Sequence, residues 1–188
     1  ELVRAAARKR LINFARYMQP DLVLEPFHVV YYTLLDMFAH GKIRKMIVQQ
    51  PPQHGKSEGS SRKLPAFMEG LNPDLKIVIG SYAATIARDF NRDVQRIIDT
   101  PRYRELFPGT YLNGSNVVTM ANTYLRNSDV IEMVGRKGSL RVVGRGGSLT
   151  SKTVDVSILD DVYKDYAEGN SPIVRAAAWK WYTTVVRT

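Results

Sequence analysis

The segment Gln49-Gln50-Pro51-Pro52-Gln53-His54-Gly55-Lys56-Ser57-Glu58 constrains this chain more than any other. It follows an apolar stretch, residues 45–50 (KMIVQQ), that reads as a short strand, and it leads into a helix-like run from Glu58. Between a strand and a helix, Gly-Lys-Ser has a mechanism. The backbone N–H groups of such a loop and of the helix it opens converge on an anion. Gly55 permits close approach, Lys56 brings a charge to the outer phosphates, and the Ser57 hydroxyl is a ligand for Mg²⁺, which keeps most of its waters. Gln53, His54 and Glu58 complete the phosphate-facing loop. The first glycine of the longer phosphate-loop pattern would stand at position 50, which is Gln50. Taken alone, Gly-Lys-Ser is also what a solvated helix start looks like.

A second segment supplies the missing half. Residues 153–159 (TVDVSIL) read as a buried strand ending on Asp160-Asp161. In open α/β sheets, ligands bind at the C-terminal edge of the strands. One carboxylate there can face a metal ion, and a second can orient or deprotonate a water. The expectation is that Asp160 takes the metal side and Asp161 the water. A pair of aspartates after a strand can also cap a turn; it is the combination with the lysine loop that points to nucleotide hydrolysis.

The remaining residues set the frame. The 188-residue chain carries a net charge of +9 and no cysteine. Disulfides, thiolate metal sites and a thiol nucleophile are thereby excluded. The charge favours a polyanionic partner. No apolar run reaches the length of a membrane span. The chain opens without Met and closes in an apolar stretch, so it reads as a piece of a longer protein.

The pattern predicts one helix over residues 1–17, ended by Pro20, and a second over 27–40, stopped by Gly41. Strands are expected at 45–50, 76–80, 130–134, 140–143 and 153–159. Further helices are expected from Glu58, over 83–99 and from Ser171-Pro172 through Trp179 and Trp181. Short apolar strands alternating with helices imply an α/β fold with a mainly parallel sheet flanked by helices. Residues 1–188 read as a single domain, with a helical region at 1–44 and a phosphate-loop core at 45–188.

PPQHGKSE after KMIVQQ, then VDVSILDD, then WKWYTTVVRT resemble the N-terminal ATPase domain of tailed-bacteriophage terminase large subunits, and so does EPFHVVYYTLLDMFAHGKIRKMIVQQPP. The resemblance covers most of the chain and is diffuse over residues 100–140. It implies a P-loop NTPase fold with an added strand and catalytic acid, with ATP and Mg²⁺ as cofactors. It implies a ring-forming motor on the procapsid that drives double-stranded DNA inward. The partners would be the portal protein and the small terminase subunit, in the cytoplasm of a bacterial host. By similarity, Lys56 and Ser57 hold phosphate and metal, Asp160 is the metal-side carboxylate, Asp161 is the catalytic acid, and Phe27 and His28 lie by the adenine. A coupling strand and a nuclease domain would lie beyond Thr188.

Two departures bear on the site. Gln53 stands where relatives often carry Arg, and Asp161 stands where they often carry Glu. The lost loop charge directs attention to the stretch between Glu132 and Asp155, which has no acidic residue but holds Arg136, Lys137, Arg141, Arg145 and Lys152. A guanidinium placed on the developing charge of the β–γ bond is worth roughly 10³–10⁵ in rate. Arg145, set among glycines, is the first choice for that catalytic role, Arg141 the second and Lys152 the third. Two other functions fit the residues. One is a different P-loop phosphotransferase. The other is a non-enzymatic basic module for nucleic acid, whose binding would not depend on Lys56.

Overall fold

The run KIVIGS forms β1 (Lys76–Ser81), whose Ile77, Val78 and Ile79 are all buried. A strand apolar on both faces belongs at the centre of a sheet, and β1 sits there in this computed structural model, which describes residues 1–119, 123–149 and 153–186. Its neighbours are β3 (Ser139–Gly144) and β4 (Val156–Leu159), both parallel to it. β2 (Val130–Glu132) lies antiparallel on the outer side of β3, giving the four-strand order β2-β3-β1-β4.

The sheet is therefore mixed, where the sequence pattern implied a mainly parallel one. The cause is local. β2 and β3 are joined by a short turn in which Gly135 takes φ 73°. A link that short can only fold two strands back on each other.

Helices cover both faces. α1 (Leu2–Lys9), α2 (Leu11–Met18) and α3 (Pro26–Ala39) precede the lysine loop. A π-helical segment, Glu58–Lys63, runs on into α4 (Leu64–Leu71). α5 (Ala84–Ile98) buries Ala87, Phe90, Val94 and Ile98, an apolar stripe at helical spacing. α6 (Pro101–Leu106), α7 (Tyr166–Asn170) and α8 (Pro172–Trp181) follow, and a second π-helical segment, Tyr182–Val186, extends α8.

Strand alternation divides the core. Ile77, Ile79, Leu140 and Ile158 face the larger cluster, where Phe14, Phe67, Tyr103 and Phe107 pack ring against ring; Phe14 and Phe67 have centroids 5.3 Å apart. Val78 and Val143 face the smaller cluster with Leu149, Trp181 and Val186. Trp181 donates its Nε1–H to the Gly147 carbonyl at 2.8 Å, while Trp179 is 63% exposed. The two tryptophans thus face different sides, as their spacing on one helix requires.

Two expectations about elements are corrected, and two elements are added. The helix expected over residues 1–17 is two helices, because Arg10 is extended (φ −136°, ψ 128°). The buried Asp36 of α3 fixes that break. It accepts from the Leu11 amide at 2.7 Å and meets the Arg10 Nε at 2.9 Å. The expected strand at 45–50 joins no ladder among the described residues. Its two-residue period is real, with Met46 and Val48 packed on the core and Ile47 92% exposed, but alternation needs only a surface, whereas a strand needs a hydrogen-bonded neighbour. Two short helices went unread, each with a side-chain cap. The Thr100 hydroxyl accepts from the Tyr103 amide ahead of α6, and Asp165 accepts from the Glu168 amide ahead of α7.

Among the described residues, no helix is long and apolar enough to cross a membrane.

Candidate functional site

The lysine loop is held in an uncommon backbone shape. Gln53 has φ 63° and Gly55 φ 76°. A side chain at positive φ is costly outside glycine, and such residues gather at functional sites. His54 contacts its own loop, Nδ1 to the Pro52 carbonyl at 2.7 Å. Lys56 then enters the helical run, and the Tyr31 hydroxyl of α3 donates to the Lys56 carbonyl at 2.5 Å. Burial pushes the Tyr31 phenol up to about 12, so it stays a donor.

Phe27 and His28 form the first turn of α3 beside this loop. The Glu25 amide donates to His28 Nδ1 at 3.0 Å, which leaves the proton on Nε2, 3.2 Å from the His54 carbonyl. The Phe27 ring lies 5.6 Å from that of His54 and is 41% exposed.

The acid pair sits at the C-terminal end of β4. The Asp160 amide donates to the Gly80 carbonyl at 2.8 Å and the Tyr82 amide to the Asp161 carbonyl at 2.9 Å, carrying the β1–β4 pairing past the strand. Asp160 is buried. Asp161, at φ 47°, turns its carboxylate outward.

Loop and acids meet. Lys56 Nζ is 3.0 Å from Asp160 Oδ1 and 2.5 Å from Asp161 Oδ1, a contact that spans 105 residues of chain. The Ser61 hydroxyl, wholly buried, donates to Asp160 Oδ2 at 2.7 Å, and the nearby Ser57 hydroxyl also favours the charged form of that carboxylate. Burial opposes the charge on Asp160, but the Ser57, Ser61 and Lys56 donors overcome it and hold the carboxyl below its ordinary value. Burial likewise opposes the charge on Lys56, and its bonds to Asp161 and Asp160 reverse that, raising its pKa. The contact does not run through adjacent strands, since residues 45–50 form none. It runs through the helical face on which Ser57 and Ser61, four residues apart, point at the end of β4.

Glu58 turns away from these groups, toward Lys63 at 3.0 Å and Arg62 at 3.7 Å. Arg145 stands just after β3 at the same sheet edge, its amide bonded to the Ser81 carbonyl. Its guanidinium donates to the Val162 carbonyl at 2.9 Å and to Glu168 at 2.8 Å, and the Glu168 carboxylate raises its pKa. Arg141 is not brought to this edge. It pairs with Glu132 of β2 at 3.5 Å, back along β3. Lys152 lies outside the described residues.

Ser61 and Glu168 belong to this arrangement and went unread; for Tyr31 the sequence suggests a place against adenine or in the helix core, not a bond to the Lys56 carbonyl. The i, i+4 spacing of Ser57 and Ser61 could have revealed Ser61. Nothing in the sequence ties Tyr31 to the Lys56 carbonyl or Glu168 to Arg145, because both links are tertiary.

The donor set suits a hard, oxygen-seeking divalent ion. A hydroxyl (Ser57) and a charged carboxylate (Asp160) stand near each other, and Mg²⁺ commonly takes few protein ligands. Among the described residues, no cluster of three His, Cys, Asp or Glu could hold a metal by itself.

No protein family, curated protein or solved structure matches this chain, and the geometry of Lys56, Ser57, Ser61, Asp160 and Asp161 is what carries a functional reading.

Proposed function

We propose that this chain is a Mg²⁺-dependent ATPase with a P-loop NTPase fold, working as the motor domain of a double-stranded DNA translocase of the terminase kind. The observation that carries the reading is the convergence of Lys56 on Asp160 and Asp161 across the sheet edge. Three chemical tasks then have three holders. Lys56 and the amides of the 53–57 loop neutralise phosphate oxygens. Ser57 and Asp160 would hold Mg²⁺, which would supply neutralisation of phosphate charge. Asp161, outward and solvated, orients the attacking water and accepts its proton.

Lys56 is shared between roles. Its present partners are carboxylates, so phosphate exchanges one set of anionic oxygens for another, and Asp161 is then freed toward water. Phe27 and His28 offer a ring surface beside the loop for the adenine. Arg145 supplies the transition-state cation, Glu168 being its resting partner. The motor reading carries its partners with it: DNA, a portal protein, a small terminase subunit and further copies in a ring, in a bacterial host's cytoplasm.

The test is phosphate release from ATP. We expect hydrolysis to require Mg²⁺ and to be lost in Lys56→Ala and in Asp161→Ala. Transfer to an acceptor instead of water would identify a phosphotransferase, and nucleic-acid binding with no nucleotide binding would identify a non-enzymatic module.

A further inference from the structure

A second concave surface lies at the opposite edge of the sheet, where β1 and β3 begin and Lys76 pairs in register with Ser139. The five residue steps of β1 from there to Ser81 span roughly 16 Å at about 3.3 Å each. This cleft encloses about 360 Å³ and is lined by Lys76, Tyr124, Arg136, Lys137, Arg141 and Thr153.

Its charges are unevenly matched. Arg141 has Glu132. Among the described residues, Lys76 Nζ reaches only the Thr153 hydroxyl, at 3.4 Å, and neither it, Arg136 nor Lys137 forms an ion pair. Glu132, which also lines the cleft, is taken up by Arg141, and Asp74 and Asp155 beside it are engaged with backbone. Asp74 accepts from the Lys137 amide and Asp155 from the Lys76 amide, each at 2.8 Å. They fix the chain that bears the cations and leave the ammonium and guanidinium groups to solvent.

The turn carrying Arg136 and Lys137 is rigidly seated. A Cβ on Gly138 would stand 2.1 Å from the Pro73 carbonyl oxygen, so that turn rests directly on the backbone before β1. The Ser139 amide donates to the Leu75 carbonyl at 2.9 Å. Cations held by a fixed backbone lose less freedom on binding than those on a mobile loop.

We propose that this cleft binds the phosphodiester backbone of nucleic acid, with Lys76, Arg136 and Lys137 on phosphate oxygens and the Tyr124 ring and Thr153 hydroxyl against sugar or base. A concave slot lined by cations suits a phosphate backbone, whereas a bilayer surface is flat. The choice of nucleic acid over other polyanions rests on the translocase reading. The site itself does not, since it is remote from Lys56.

The experiment measures binding of a labelled DNA duplex, and of its single strand, to the wild type and to the double variant Arg136→Glu/Lys137→Glu across a salt series. Each phosphate contact contributes about 0.9 to the slope of log K against log salt. The variant should bind duplex at least about tenfold more weakly, with a slope shallower by about 1.8. Arg136→Gln/Lys137→Gln should fall between, and both should bind nucleotide as the wild type does. Unchanged affinity and slope in the charge-reversed variant would overturn the proposal. So would phosphatidylserine vesicles that displace DNA from the wild type and fail to bind the variant. A wild type that binds DNA through this cleft but no nucleotide would sink the ATPase reading and leave the cleft standing.

Discussion

Lys56 Nζ lies 2.5 Å from Asp161 Oδ1, while the same ammonium also contacts the buried Asp160. One cation thus serves two acids of unlike exposure. Removing it should leave Asp160 buried with only hydroxyl donors, which is costly. Lys56→Ala is expected to lower stability by about 1–3 kcal/mol, discounted for the partial exposure of the lysine. Urea unfolding at neutral pH measures it. Equal midpoints for variant and wild type would mean that the contact adds nothing.

Ser61→Ala removes a single hydroxyl from the far side of Asp160. The hydrogen bond is to a charged group, so the expected loss is about 1.5–3 kcal/mol. The Asp160 pKa should rise, since one of the donors holding it down is gone. Under the hydrolysis reading, the Mg²⁺ concentration for half-maximal rate rises too. Ser61→Thr, which keeps the hydroxyl, should restore part of both, and a variant with unaltered Mg²⁺ dependence would separate Ser61 from the metal.

Glu69 of α4 is wholly buried, and among the described residues neither carboxyl oxygen has a hydrogen-bond partner. Burial pushes its pKa well above 4.5, with Asp155 and Asp74 acting in the same sense. A pKa raised on folding gives a contribution fully present below the unfolded value and lost as pH climbs toward the folded one. Asp160 has the reverse sign, its contribution being present above the unfolded value and lost as pH falls through the folded one. Glu69→Gln, which cannot ionise, should therefore gain on the wild type as pH rises above about 4.5 in chemical denaturation. Parallel stability curves would show that Glu69 does not titrate in that window.

Gly59 leaves no room for a side chain, since a Cβ there would stand 2.6 Å from Tyr31 Cε1. Gly59→Ala should displace the tyrosine, at a cost of about 1–3 kcal/mol. Because Tyr31 anchors the Lys56 carbonyl, nucleotide affinity should fall with stability. Tyr31→Phe, which keeps the ring and loses the bond, should reproduce the affinity loss with a smaller stability loss.

Arg145→Ala and Asp161→Ala, each inactive alone, should regain partial hydrolysis when mixed if Arg145 reaches a neighbour's nucleotide in a ring. Glu168→Gln, which weakens the resting partner of Arg145, should raise the rate of the otherwise intact protein. Mixtures with no recovery at any ratio, assembly being intact, would confine Arg145 to its contacts within one chain.

The residues that sequence reasoning read best are those whose meaning is local. KIVIGS is apolar on both faces and sits mid-sheet. Ser171-Pro172 opens α8, with the Ser171 hydroxyl accepting from the Val174 amide. The loop lysine and the twin aspartates were legible because each follows a recognisable stretch of chain, and the structure brings them together. What stayed hidden depends on partners distant in sequence. Asp36 breaks the first helix from another element, and residues 45–50 alternate like a strand without joining a ladder. Arg141 and Arg145 sit four residues apart on or beside one strand, yet β3 carries them toward opposite edges of the sheet. A list of cations cannot separate them until strand direction is known.

The Tyr31 phenol ties a buried ring of α3 to the peptide that carries the lysine. Hydrophobic packing and ionic chemistry are therefore coupled through one oxygen. Substitutions deep under α3, far from any solvent-facing charge, should register as altered affinity for anions before they register as unfolding, and a screen for failed activity would recover them alongside the lysine itself.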